Sequence, residues 1–303
     1  MERVTTYSAY NSVISNLLQA ENNQNQADVQ VSSGKVASDL KGFGSNAEAL
    51  TAAQSLKTRV DGYVQTATNV ASQLTAQDTA LTEVSNAGLA ARQAVARAIA
   101  SGSADGLMSS LQSAFSQAVD GLNTQYNGSY LFSGSKVTTP AVSVQSVQTM
   151  SATFQNDQNA AAAQLNETAK VPTGQLASNI GGALFTAFSA VQTLNAGTPL
   201  SGPLTSAQMT ALTGLLQSFD SANSGITQAQ AQNGLAQNQV DTIKDTQTQR
   251  QTDLTNTIAD MANVDMGQAS ANLAQAQTAL QASARVFQTL QSTSLLNYLG
   301  TSG

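Results

Sequence analysis

Proline limits what this chain can fold into more than any other residue. All four prolines, Pro140, Pro172, Pro199 and Pro203, lie between residues 140 and 203; the first 139 residues and the last 100 have none. Proline inside a helix costs about 3 kcal/mol. The distribution therefore predicts two long helical arms around a middle of different build.

In the first arm Tyr10, Ile14, Leu17 and Leu18 form an apolar stripe at helical spacing, followed by the very polar residues 21–26. Gly34 and then Lys41-Gly42-Phe43-Gly44 interrupt the pattern. Ser45 and Glu48 fit a capping box, so a helix is expected to restart there. Its stripe runs through Val60, Val64, Ala67, Ala71, Leu74, Leu81, Val84, Leu89, Val95 and Ile99, mostly in steps of three and four, close to a heptad seam. Ser101-Gly102 breaks it, and Leu107, Leu111, Phe115, Val119, Leu122 and Tyr126 resume it.

The middle is turn-rich. Tyr130-Leu131-Phe132, Ala141-Val142-Ser143-Val144 and Met150-Ser151-Ala152-Thr153-Phe154 read as strands bounded by Gly, Ser, Asn and Pro. Residues 160–163 read as a short helix, residues 184–194 as another, and residues 195–203 as a break.

Thr205 with Gln208 makes a second capping box, and from there to Leu299 the chain has no proline. If continuous, roughly 95 residues of helix would span about 140 Å. Such a helix needs a partner helix, from its own chain or a neighbour. Near its end Met266, Leu273, Leu280 and Phe287 recur every seven residues, with Ala269, Ala276 and Leu290 in the second seam. A solvated coiled coil carries Glu and Lys on its rim; here Arg285 is the one charged residue in 266–303. A helix so short of charge, yet too polar for lipid, suits burial against other protein.

Composition removes several functions. Without Cys or His there is no Ser–His or Cys–His nucleophile, and no zinc site of those ligands. A net charge of −6 argues against a phosphate-binding surface, so nucleic acid is not an expected partner. No apolar run is long enough to insert in a membrane, and residues 1–7 lack the apolar core of a secretory signal. Asp241 and Asp245 share a helical face beside Lys244, which is read as solvated surface. Lys41-Gly42-Phe43-Gly44-Ser45 lacks phosphate-loop spacing and is read as a turn. No cofactor, metal site or enzymatic activity is expected.

Arg3-Val4-Thr5-Thr6, Val31-Ser32-Ser33-Gly34-Lys35, the run Asn123-Thr124-Gln125-Tyr126-Asn127-Gly128-Ser129-Tyr130-Leu131-Phe132-Ser133-Gly134, and the ending Ser294-Leu295-Leu296-Asn297-Tyr298-Leu299 resemble the bacterial flagellin superfamily. The opening, the Tyr-Leu-Phe-Ser-Gly element and the Asn-Tyr-Leu ending are more similar to its hook-associated protein 3 branch, which forms the hook–filament junction, than to bulk filament flagellin. One departure stands out. Where the family carries a Ser-Asp-Asp-Pro-like element, this chain has Ser38-Asp39-Leu40-Lys41-Gly42-Phe43-Gly44, without proline.

The resemblance implies a mostly α fold: a long antiparallel helical hairpin or coiled-coil bundle of the two arms, with a small β-rich middle domain. Residues 1–44 with 255–303 would be an inner helical pair, 45–134 with 204–254 a second bundle, and 135–203 an outer domain. Tyr10, Ile14, Leu17, Leu18, Leu273, Leu280, Phe287, Leu290, Leu295, Leu296, Tyr298 and Leu299 would carry the assembly interface. The implied partners are copies of the chain in a helical lattice, a neighbouring hook-associated protein, filament flagellin and an export chaperone. The implied location is the flagellum, reached by secretion through type III export without signal cleavage. Filament flagellin, and more remotely an amphipathic granule- or membrane-surface protein, stand as alternatives.

Overall fold

The computed structural model describes the backbone of residues 2–299, and the side chains of residue 8 and residues 10–292. It is mostly helical, with short antiparallel strands in the middle. In chain order come α1 (Glu2–Ser33), a 3-10 turn (Leu40–Asn46), α2 (Ala47–Ser101) and α3 (Leu107–Leu122). Six strands follow: β1 (Gln125–Tyr126), β2 (Ser129–Tyr130), β3 (Val142–Ser146), β4 (Ser151–Phe154), β5 (Ala162–Gln164) and β6 (Lys170–Pro172). Then come α4 (Ala177–Gly197), α5 (Ser206–Ala262) and α6 (Met266–Leu299). The chain forms two compact units, residues 1–59 with 251–303, and residues 60–250.

In the first unit α1 and α6 pack antiparallel, with Tyr10 near Phe287 at one end and Gly34 bonded to Val264 at the other. Gly34 ends α1 at φ +67°, its N–H donating to Gln30 O at 2.9 Å, a left-handed cap that glycine adopts without a Cβ penalty. Val36 N donates to Ala262 O at 2.8 Å and Val264 N to Gly34 O at 3.0 Å. The proline-free turn is capped by Asp39, whose carboxylate accepts from Gly42 N at 3.0 Å.

Two expectations change in this unit. The last arm is not one helix: residues 263–265 interrupt it, and Asp265 Oδ1 caps α6 by accepting from Gly267 N at 2.8 Å and Gln268 N at 3.1 Å. The break is stabilised by backbone pairing between Lys35 and Asn263, a contact remote in sequence. Ser45 also falls inside the 3-10 turn, and α2 starts at Ala47 without the expected box.

The second unit has a conventional core. Of the α2 stripe, Val60, Ala67, Leu74, Leu81, Val84 and Val95 are buried, whereas Leu89 is 42 % exposed. Phe115 of α3 packs on Phe185 and Phe188 of α4, with ring centroids 5.3 and 5.6 Å apart, and Phe188 meets Phe219 of α5 edge-on at 5.5 Å. Gly121 lets α3 approach α2: a Cβ there would lie 2.8 Å from Val84 Cγ2 and 3.2 Å from Ala80 O. The α5 start matches its sequence signature, with Thr205 N donating to Gln208 Oε1 at 2.9 Å and Gln208 N to Thr205 Oγ1 at 3.2 Å.

The strands pair as three two-stranded antiparallel hairpins, β1–β2, β3–β4 and β5–β6. Asn127 and Gly128, both at positive φ, make the tight β1–β2 turn. Residues 160–163, expected as a helix, instead lead into β5, which pairs with β6 so that Leu165 and Val171 reach a small core with Leu74 and Val240. Burial of those side chains overrides alanine's helix preference.

Candidate assembly surface

The α1–α6 pair is built on small residues. Ala20 and Ala27 of α1, and Ala269 and Ala276 of α6, are each less than 10 % exposed. Both pairs are spaced by seven residues, one seam position two turns apart. Beside them a cleft of about 410 Å³ is lined by Asn23, Gln26, Gln30, Asn272 and Gln275, all uncharged. Seams of alanine allow close approach of helices but remove little apolar surface from water.

The larger apolar side chains are less covered. Ile14, Leu17, Leu273, Leu280, Phe287 and Leu290 are half-buried. Tyr10 is exposed yet keeps a tilted ring contact with Phe287, centroids 5.8 Å apart at 39°. Leu18 is 54 % exposed, and Val29, Leu40, Leu56, Met266 and Val286 of the same unit are also exposed. The side chains of Leu295, Leu296, Tyr298 and Leu299 lie outside the described residues. The structure thus brings Tyr10 and Phe287 together, and leaves Leu18 facing solvent.

Ala20 and Ala27 escaped the sequence reading, which in α1 followed the larger apolar residues. Their signal was the spacing they share with Ala269 and Ala276.

Charge is sparse and local. In residues 60–250 Arg92 of α2 bridges to Asp220 of α5, Nε to Oδ1 at 2.5 Å and Nη2 to Oδ2 at 3.3 Å; the carboxylate raises the guanidinium pKa further. Asp157 closes the loop after Phe132. Its carboxylate accepts from the Ser135 hydroxyl, from Asn159 N at 3.0 Å and from Ser135 N at 3.1 Å, which lowers its pKa to about 2. Asp241 and Asp245 are exposed. Among the described residues no group of His, Cys, Asp or Glu side chains is placed to hold a metal ion, and no helix is long and apolar enough to cross a membrane.

The bacterial flagellin N-terminal helical region matches residues 4–137, and the bacterial flagellin C-terminal helical region matches residues 216–299. No curated protein matches the sequence. Among solved structures the chain is similar in fold to one from Vibrio parahaemolyticus assigned as a flagellar hook-associated protein: 17 % identity, TM-score 0.62, covering 72 % of this chain and 97 % of that one. Flagellar hook-associated protein-3 of Legionella pneumophila matches at 15 % identity and TM-score 0.59, over 70 % and 98 %. FlgL of Bacillus cereus matches at 17 % identity and TM-score 0.53, over 69 % and 98 %. With both helical regions matched in order across more than half its length, and the antiparallel end-to-end pairing of α1 with α6 in place, the chain belongs to the bacterial flagellin superfamily.

Proposed function

We propose that this chain is the hook–filament junction subunit of a bacterial flagellum, a structural rather than a catalytic protein. The observation that carries this reading is the mismatch within the α1–α6 pair: its buried seam is alanine, while its leucines and aromatics stay half-exposed, those of α6 on a helix whose one charged residue is Arg285. Side chains of that kind are stabilised by contacts that the monomer does not make. The surface fits copies of the chain in an open helical lattice, in which the face presented differs from the face received. The similarity to proteins described as flagellar hook-associated favours the junction over the filament itself.

On this reading the subunit contacts a second hook-associated protein on one side and filament flagellin on the other. It is delivered unfolded by type III export, with a chaperone covering its terminal helices. Cells lacking the chain test the assignment by electron microscopy. Intact hooks with filaments shed into the medium are expected; firmly attached filaments of normal length would refute it. Purified protein should form no micrometre filaments on its own, and seeded growth of such filaments would make it a filament subunit instead.

A further inference from the structure

The apolar core of residues 60–250 is in two pieces. The larger reaches Ala80 on α2 and Ala229 on α5; the smaller joins Ala67, Val70, Leu74 and Val240 of those helices to Leu165 and Val171 of the β5–β6 hairpin. Among the described residues 160–172 these two are the buried ones, so the hairpin stands on the helix pair by two side chains. Strands β5 and β6 form a two-stranded sheet of their own, carried on residues 155–161 and 173–176, which are irregular. Ordering a stretch of backbone is costly, and two buried side chains offset little of that cost.

The junction between the two cores is polar. Gln77 is fully buried and Asn233 is 1 % exposed. Gln77 Nε2 donates to Thr173 O, just past β6, at 3.0 Å, and Asn233 Nδ2 donates to Leu74 O at 2.9 Å. With the nitrogens so committed, Gln77 Oε1 and Asn233 Oδ1 receive no donor from the protein, and less than 1 Å² of each is within reach of water. Pro172, Thr173 and Gly174 border the same recess as both amides, so the exit of the hairpin is part of what encloses them. A buried acceptor without a donor destabilises the state that encloses it, and the cost vanishes once water reaches the atom.

We infer that the β5–β6 hairpin is a strap that lifts from α2 and α5 in the folded subunit while the larger core stays shut. Lifting breaks the bond between Gln77 and Thr173, lets water reach both amide oxygens, and uncovers Leu74, which borders the same recess as Leu235, itself 70 % exposed. Opening of this kind is a local equilibrium, separate from unfolding of the whole unit. It needs no partner, so it stands apart from the assembly reading.

The chain has no cysteine, so one engineered thiol reports on the opening. The full-length chain carrying Val171→Cys is treated with a maleimide and compared with Ala118→Cys, a fully buried position of α3 in the larger core. The thiol at position 171 should react at least about tenfold faster than the thiol at 118, at a rate that low denaturant barely changes. Leu165→Cys, on the other side of the hairpin turn, should match it, because both feet leave together. Adding Asn233→Leu removes one enclosed acceptor, while Leu74 O keeps Gln237 Nε2 at 3.1 Å. The reaction at 171 should then slow at least about threefold relative to that at 118. Equal rates at 171 and 118 overturn the strap, as does a rate at 171 that Asn233→Leu leaves unchanged or raises. Hydrogen exchange on the unsubstituted chain controls for damage by the cysteines. Amides of residues 162–172 protected as strongly as those of α3 overturn the strap; weaker protection that matches the thiol rates supports it.

Discussion

Phe115, Phe185, Phe188 and Phe219 interlock in residues 60–250 with rings 5.3–6.4 Å apart, and leucines and valines of four helices close around them. In residues 1–59 and 251–303 the buried apolar side chains are Ala20, Ala27, Ala262, Ala269 and Ala276, with Leu50 the one larger member among the described residues. Fully burying a leucine or phenylalanine contributes about 1.5–3 kcal/mol, and a single methyl far less. Ordering each residue's backbone costs about 1–2 kcal/mol in either unit. The second unit buries many such side chains and the first only Leu50, although α1 and α6 are among the longer helices of the molecule. On the proposed assembly, a unit with an alanine seam and half-exposed leucines draws further stability from neighbouring subunits.

The sharpest break in the comparison comes from Phe188→Ala. Removing the ring at the centre of the aromatic cluster should lower the unfolding free energy of the second unit by about 3–5 kcal/mol, read by denaturant unfolding. An effect under 1 kcal/mol would mean that the two units are not built differently. Leu280→Asp is the mirror experiment in the first unit. A charge on this half-buried seam position should cut incorporation into flagella about a hundredfold, roughly 2.7 kcal/mol of lost coupling. The melting of residues 60–250 should stay unchanged, and normal incorporation would remove the seam from the assembly surface.

Ala269→Leu probes the close approach itself. Position 269 is fully buried, so added methylenes should force α1 and α6 apart at about 1–3 kcal/mol. The effect should appear as weaker assembly and not as a lower melting point of the second unit. Unaltered assembly would show that the helices have room to spare. The smallest effect concerns Asp157. Its folded pKa, about 2, lies below the ordinary 3.8 because Ser135 and Asn159 donate to the ionised form. The carboxylate therefore supports its loop above pH 3.8, and that support is lost as pH falls toward 2. Amide protection in residues 134–159 should fall over that window, and Asp157→Asn should flatten the dependence.

Much of this was legible in the residues, and the misses have a common cause. Proline placement located the helical arms, and Thr205 with Gln208 marked the start of α5. Each signal is local. The interruption at residues 263–265 is paired with Lys35, more than two hundred residues away, and no glycine or proline lies in residues 235–265 to announce it. The strand Ala162–Gln164 depends on Lys170–Pro172 and on the burial of Leu165. Leu89 fits a heptad but stands exposed beside the Arg92–Asp220 bridge, since periodicity reports a face and not what covers it. For the same reason the surface was read through its larger side chains, while the buried Ala20 and Ala27 went unseen.

Hydrogen exchange on the full-length subunit, free and then assembled, tests the dependence of the first unit on its neighbours most directly. Amides of α1 and α6 should exchange in the free subunit many times faster than those of α3 and α4, and become protected to the same level on assembly. Equal and strong protection of all four helices in the free subunit would contradict it.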